Sequence, residues 1–475
     1  MPKIKKTKIV ATLGPASSSE EVIEKMMLAG VNVFRINFSH ADHDDVAERI
    51  RIIRSLSEKH KTYTSILADL QGPKLRVGVI EEGAVVEAGD TVEFITTAPF
   101  VGNAQKAYMT YQQFPRDVTP GERILLDDGK LIFEVTATDK TEKVTAKVLQ
   151  GGPFKSKKGV NLPNTNISLP ALTDKDVKDA IFAIQQNVDW IALSFVRNSD
   201  DLIDLRKLIE EHSDHKIPII SKIEKPEALE NIDKIIAYSD GLMVARGDLG
   251  VEVPAAEVPL IQKQLVNRAK KARIPVIIAT QMMETMIDSL TATRAEVNDV
   301  ANSVMDGADA VMLSGETSVG KYPVQVIETM TSILKSVENS PLIKVPQSPP
   351  SIRTKRFITK SICYHAANMA NEIDATAICT LTNSGYTAFQ ISAWRPKAHI
   401  LVFTSNKIIL SQLNLLWGVK AFYYDKFEST DKTVEQVNTI ARENGWAEEG
   451  DMLINLAAMP IKEKGMVNTL RVSQL

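Results

Sequence analysis

The residues with the clearest chemical promise stand where short apolar runs end. One run closes on Ser221-Lys222-Ile223-Glu224, and the next on Ala245-Arg246-Gly247-Asp248-Leu249-Gly250. Residues two apart on a strand face the same way, so Lys222 and Glu224 would present an ammonium and a carboxylate side by side. If the two runs are neighbouring strands, Asp248 brings a second carboxylate to the same rim. Two carboxylates, completed by waters and phosphate oxygens, suit a magnesium ion, while Gly247 and Gly250 allow a ligand close to the backbone. Taken singly, Lys222 or Glu224 reads equally well as a solvated strand end, and the glycines as plain turns. A third run, Phe34 to His40, sets Arg35, Asn37 and Ser39 on one face and Phe34, Ile36 and Phe38 on the other. If the polar face is the inner one, those groups need partners, because an unpaired buried polar group costs about 1–3 kcal/mol. A bound anion or cation would supply them. The same reasoning singles out Asp69, Thr280, and Ser314 with Glu316, all near the ends of other runs.

The elements that must position these groups can be read from periodicity. Eight β-branched runs are strand candidates: Lys8 to Leu13, Val31 to Phe38, Ser65 to Leu70, Trp190 to Val196, Ile217 to Glu224, Gly241 to Ala245, Pro275 to Thr280 and Ala308 to Ser314. Helix-length amphipathic segments separate most of them, the pattern of a (β/α)8 barrel with its functional face at the carboxyl ends of the strands. The alternation breaks at about 73–160, where glycines punctuate short Val, Thr and Ile runs, as in a small β-barrel-like antiparallel domain that could act as a lid. Pro341, Pro346, Pro349 and Pro350 mark a linker, and a smaller α/β domain should follow from about Lys355. The expected organisation is a catalytic barrel of residues 1–72 and 161–340, an inserted lid at 73–160 and a carboxy-terminal α/β domain at 341–475.

Composition narrows the function classes. Apolar residues make up 44% and charged residues 24%, an ordinary globular balance. The net charge of −3 offers no global attraction to nucleic acid or to an anionic membrane, so any anion must be bound locally. Cys363 and Cys379 are too few for a disulfide framework and read as core residues in a reducing cytosol. With no run of about eighteen apolar residues and no apolar leader, neither a membrane span nor secretion is expected, and the location should be cytoplasmic.

Together these segments resemble the pyruvate kinase family over essentially the whole chain. Thr7 to Ser17 is similar to the family's opening, Arg35 to His40 to its nucleotide and monovalent-cation strand, and Ser239 to Glu252 to its central motif. Ala279 to Glu284 and Met312 to Thr317 complete the rim. The resemblance implies transfer of a phosphoryl group from phosphoenolpyruvate to ADP, giving pyruvate and ATP, with Mg2+ or Mn2+ held by Glu224 and Asp248. It implies that Lys222 stabilises the moving phosphoryl and the enolate oxygen, and that the backbone of Ala245, Arg246, Gly247 and Asp248 cradles the substrate carboxylate. Thr280 would lie beside the carbon that becomes the methyl, and Ser314 could belong to a proton relay whose donor stays open. Arg35 and Arg76 would face phosphate, and Asn37, His40 and Lys158 would face the nucleotide. A homotetramer is also implied.

Departures from the family pattern are informative. Potassium-dependent members carry glutamate where Lys74 stands, and Leu70, Gln71 and Val77 resemble the neighbours of this lysine in the potassium-independent branch. The ammonium of Lys74 would then replace K+ beside Asn37, Ser39, Asp69 and Leu70, so that K+ is not required. Lys225 stands where asparagine is frequent, and Ala41 where many members have glycine. Thr382, Asn383, Ser384, Gly385 and Thr387 resemble the family's effector phosphate loop, which implies activation by a sugar phosphate or AMP. Tyr386 replaces the usual arginine there, and a plain helix-capping turn explains the same residues. Two rival functions stay open at this point: a phosphoenolpyruvate or pyruvate lyase using the same two acids, and a catalytically silent effector-binding regulator.

Overall fold

A computed structural model describes residues 5–39, 41–338, 340, 343, 349–350, 356–426, 428–460 and 465–475. His40, Lys355 and most of the proline-rich linker lie outside these residues. Eight parallel strands close into a barrel: β1 (Lys8–Thr12), β2 (Val33–Asn37), β3 (Ser65–Asp69), β4 (Trp190–Leu193), β5 (Ile219–Ile223), β6 (Gly241–Ala245), β7 (Val276–Ala279) and β8 (Ala310–Leu313). They follow one another in chain order, and β8 pairs back onto β1. All eight expected runs are therefore strands, each but β6 shorter than its run.

Alternation along each strand divides the residues between two environments. Phe34, Ile36, Ile66, Ala68, Ile191 and Leu193 point outward and pack against the surrounding helices. Val10, Val33, Leu67, Trp190, Ile220, Met243, Ile277 and Met312 fill the lower interior. Two residues further along, the same inward parity carries Thr12, Arg35, Asp69 and Lys222. The interior is thus apolar below and polar at the carboxyl end. Several barrel helices begin at reciprocal caps, in which Thr173, Asn198 and Thr293 pair with Asp176, Asp201 and Glu296. Each such cap typically contributes about 1 kcal/mol.

Between β3 and β4 lies a separate six-stranded sheet with its own core, in which Phe94 meets Phe133 and Phe114 edge-on at 5.4 and 6.1 Å. The pairing is antiparallel except for Thr91–Ile95 beside Lys106–Tyr108, which run parallel. Their connection, 96–105, is too long for a tight hairpin and crosses over instead.

The carboxy-terminal sheet has the strand order Val419–Tyr423, His399–Thr404, Ala377–Leu381, Met452–Ala457, Thr469–Gln474. Four of these strands run parallel; the last is antiparallel to Met452–Ala457 and was not anticipated, because as a half-exposed edge it is mostly polar. Cys363 and Cys379 are both buried thiols of this domain. The domain closes the amino-terminal end of the barrel. Leu415 enters the apolar interior cluster, Trp190 Nε1 donates to the Gln412 carbonyl at 3.1 Å, and Lys8 Nζ donates to the Val419 carbonyl at 2.8 Å.

His399 packs edge-on against Trp446, and burial, assisted by the charge of Lys6, pushes its imidazole down to about 4. An unfolded histidine titrates near 6.5, so the unfolded chain binds more protons below that value. The contribution of His399 is therefore intact above about pH 6.5 and is lost as pH falls toward 4. Linkage gives a loss of about 2 kcal/mol between pH 7 and 5. His399→Phe should flatten the fall in Tm over that interval, as thermal melts at the two pH values would record.

Candidate active site

At the carboxyl end of the barrel, five side chains form one continuous polar chain. Arg35 on β2 donates from Nη1 to Thr12 Oγ1 on β1 at 3.0 Å and from Nε to Asp69 Oδ2 on β3 at 2.6 Å. Asp69 Oδ1 lies 3.2 Å from Lys222 Nζ on β5, and that ammonium lies 2.9 Å from Glu224 Oε1. Lys222 also donates to Ser194 Oγ at 2.7 Å, and Ser194 donates to the Leu70 carbonyl at 2.6 Å. The second oxygen of Glu224 accepts from the Phe195 amide at 2.7 Å. The glycine before the inserted sheet is required by this crowding: Gly72 has φ +70°, and a Cβ there would meet Phe195 and Ser194 at 2.8 and 3.0 Å.

The electrostatics follow from burial and from this alternation of charge. Burial alone would lower the Lys222 ammonium, but Asp69 and then Glu224 outweigh it and hold it above the usual lysine value. Burial would likewise raise Asp69, and Lys222 with Arg35 overcomes this, keeping the carboxyl below the carboxylate range. Glu224 goes the other way: it is 1% exposed, and burial together with the charge of Asp248 raises it despite Lys222.

The loops after β6 to β8 build the opposite side. Arg246 opens the short helix Arg246–Glu252 that carries Gly247 and Asp248, but its guanidinium turns away from the polar chain. It binds Asp299 through two contacts of 2.7 Å and donates to the Thr280 carbonyl at 2.7 Å. Thr280 has φ +70°, a left-handed conformation uncommon for a β-branched residue. Its hydroxyl donates to the Ala279 carbonyl at 2.6 Å and accepts from the Gly247 amide at 2.7 Å. After β8, the buried Glu316 accepts from the Ser314 and Met283 amides, so one carboxylate sets the loops that follow β7 and β8.

Other expected residues lie around this centre without joining its hydrogen-bonded chain. Asn37 Oδ1 accepts from the Ser39 amide at 3.1 Å. Arg76 donates to the Lys157 carbonyl at 3.0 Å, and Lys158 pairs with Asp127 at 2.9 Å, both within the inserted region. Lys74 is exposed and lines an open cleft with Asp128, Asn161, Lys225, Asp248 and Glu252. In the carboxy-terminal domain, Gly385 has φ +77° and its amide donates to Thr382 Oγ1 at 3.1 Å, while Asn383 and Ser384 are exposed. Thr387 is turned inward onto Thr380 at 2.8 Å. Tyr386 lies beneath the guanidinium of Arg356, 4.3 Å from the ring centre.

Two family models match the chain: the pyruvate kinase barrel domain over residues 4–327 and the pyruvate kinase alpha/beta domain over residues 360–473. The chain belongs to the pyruvate kinase family. It is 42% identical to a pyruvate kinase of Bacillus licheniformis, covering 99% of this chain and 80% of that one. It is also 42% identical to one from Corynebacterium glutamicum, covering 99% and 98%. A solved pyruvate kinase from Cryptosporidium parvum superimposes with a TM-score of 0.91 at 32% identity, covering 99% of this chain and 96% of that one. The enzyme is thus a phosphotransferase acting between phosphoenolpyruvate and ADP, and the lyase and silent-regulator readings fall away.

Members of the pyruvate kinase family generally use Mg2+, and the residues present fit such an ion. Glu224 and Asp248 repel each other across the rim, a repulsion that a divalent cation would reverse. Among the described residues no group of three or more His, Cys, Asp or Glu side chains converges. Two carboxylates with the remaining positions left to substrate and water match the way Mg2+ is usually held. Thr12, Ser194 and Asp299 are partners that the sequence reading missed. Parity offered a signal for the first two: Thr12 follows Val10, and Ser194 follows Trp190 and Ala192, on the inward face. Asp299 lies on the helix Arg294–Asp306, where nothing in its spacing marks it.

Proposed function

We propose that this pyruvate kinase works without K+, and that Lys222, Arg35, Arg76, Thr280 and the carboxylates of Glu224 and Asp248 carry out the phosphoryl transfer. The observation that carries this reading is the unbroken run of Arg35, Asp69, Lys222 and Glu224 at the barrel rim. Phosphoryl transfer depends on positioning and charge neutralisation more than on covalent chemistry, and this run sets two cations together at the barrel rim before substrate arrives. Arg35 and Arg76 bind phosphate oxygens, and Lys222 faces the phosphoryl group and the enolate oxygen. The bound Mg2+ supplies charge neutralisation on substrate oxygens. Ala245 to Asp248 hold the substrate carboxylate through backbone amides, with Thr280 fixing Gly247. Ser314 stands on the loop set by Glu316 and is a candidate member of the proton relay. Asn37, His40 and Lys158 serve the nucleotide, and Lys158 reaches it when the 73–160 segment closes as a lid and expels water.

Support for K+ independence comes from charge. A glutamate-to-lysine difference changes the site by two units, each worth about 4 kcal/mol at about 4 Å and an effective dielectric near 20. The oxygens of the monovalent-cation region also have donors already: Asn37 Oδ1 from Ser39, both Asp69 oxygens from Arg35 and Lys222, and the Leu70 carbonyl from Ser194. The Lys74 ammonium has no hydrogen bond or ion pair among the described residues, so the side chain is free to turn toward that region. The test is a coupled assay of ATP formation in Tris and Mg2+ with K+ and Na+ excluded. Full turnover is expected, and a K+ requirement refutes the reading. Lys74→Glu should then make turnover K+-stimulated by about tenfold or more, roughly 1.4 kcal/mol.

The loop Thr382 to Thr387 is proposed to take a phosphorylated activator through Thr382, Asn383, Ser384 and the backbone of Gly385. Arg356, stacked on Tyr386, supplies the positive charge that an arginine at 386 would otherwise bring. A homotetramer in the cytoplasm completes the proposal, with light scattering as its test.

A further inference from the structure

Beside the rim lies a buried ion pair for which the phosphoryl transfer just described has no use. Lys225 Nζ sits 2.8 Å from Glu252 Oε1, and each residue is 5% exposed. The same oxygen accepts from Asn161 Nδ2 at 2.8 Å, while Glu252 Oε2 is buried without a hydrogen-bond partner among the described residues. A buried pair of this kind seldom adds stability over apolar side chains of the same size, so its presence calls for another explanation.

The placement supplies one. Lys225 directly follows Glu224 at the end of β5, and Glu252 ends the helix Arg246–Glu252 that carries Asp248. The ion pair is a strut between the segments that follow β5 and β6 and bear these acids. Asn161, in the strand Val160–Asn161, belongs to the edge of the inserted sheet and grips the same carboxylate oxygen. One oxygen therefore joins three elements, two of which carry a metal-binding acid in the reading above.

We propose that Lys225 and Glu252 are positioning residues that hold the Glu224 and Asp248 carboxylates at the spacing a divalent cation requires, and that Asn161 ties this spacing to the inserted sheet. The inference rests on the reading of Glu224 and Asp248 as metal-binding, and the experiment separates the two. Binding of Mn2+ to the full-length protein, without substrates, is followed by the electron paramagnetic resonance of the free ion. Lys225→Met/Glu252→Leu removes both charges together and leaves neither unpaired; it should keep its fold by circular dichroism and bind Mn2+ about tenfold or more weakly, as outer-shell changes do. Glu252→Gln, nearly isosteric, guards against misfolding of the double variant and should weaken binding at least about threefold on the same ground. Asn161→Ala should leave Mn2+ affinity within about twofold of the parent and lower kcat/KM for ADP about tenfold, since it loosens only the link to the inserted sheet. If Glu224→Gln binds Mn2+ like the parent, the metal reading itself is wrong. If Glu224→Gln loses the ion while the charge-free pair and Glu252→Gln both retain parental affinity, the strut is overturned alone. Parental kcat/KM in Asn161→Ala overturns the link to the sheet.

Discussion

Lys222→Met should lower kcat for ATP formation by about a thousandfold, with the protein folded and still able to bind nucleotide. The ammonium is proposed to neutralise the phosphoryl group in flight, and removing one preorganised charge of this kind costs about 10²–10³ in rate. The substitution has a second effect that can be read separately. Asp69 and Glu224 would lose the cation between them, and breaking a buried pair in this way costs about 3–5 kcal/mol of stability. Both carboxyls then move up in the folded state. A carboxyl raised on folding stabilises most below its unfolded value, near 4, and loses that contribution as pH rises through its folded value. The deficit in Tm should therefore be smallest in acid and grow toward neutrality. Steady-state rates with melts at pH 5 and 8 test both parts, and turnover at the parental rate would remove Lys222 from the mechanism.

Arg246→Met should be nearly as damaging for a different reason. Arg246 contributes only its backbone to the proposed carboxylate cradle; its guanidinium clamps Asp299 and the Thr280 carbonyl. That clamp holds Thr280 at φ +70° and Gln281 at φ +54°, conformations that cost about 1–3 kcal/mol each and persist only under such restraint. Released, the peptide relaxes, Thr280 lets go of the Gly247 amide, and the cradle loses its shape. A displacement of about 1 Å at a reacting centre costs about 10² in rate. The expected result is a fall of about a hundredfold in kcat/KM for phosphoenolpyruvate, with kcat/KM for ADP changed far less when phosphoenolpyruvate saturates. Equal losses for both substrates would show that Arg246 supports the barrel in general.

The barrel and the acidic rim were legible because one rule, alternation along a strand, serves both packing and chemistry. Phe34 and Ile36 had to face helices, so Arg35 had to face the interior, and Lys222 and Glu224 followed on β5. Direction along a strand says nothing of where a long side chain ends, however. Arg246 was placed in the substrate cradle by its backbone, and nothing in the strand pattern showed that its guanidinium reaches Asp299, on the helix that follows the next strand along the chain. The terminal strand Thr469–Gln474 escaped because an edge needs no apolar alternation when one face meets water. The Lys225–Glu252–Asn161 contact was equally hidden, since it joins residues distant in sequence through side chains that, read alone, suit a solvated surface.

Leu415 gives the barrel a floor that the barrel's own strands do not provide. Were the chain cut after the last barrel helix, water would enter from below, the Trp190 indole and the Lys8 ammonium would each lose a carbonyl, and the apolar layer under the catalytic groups would be wetted. The barrel and the carboxy-terminal domain of this molecule thus share one hydrophobic column, and the catalytic half is not a module that can be borrowed intact.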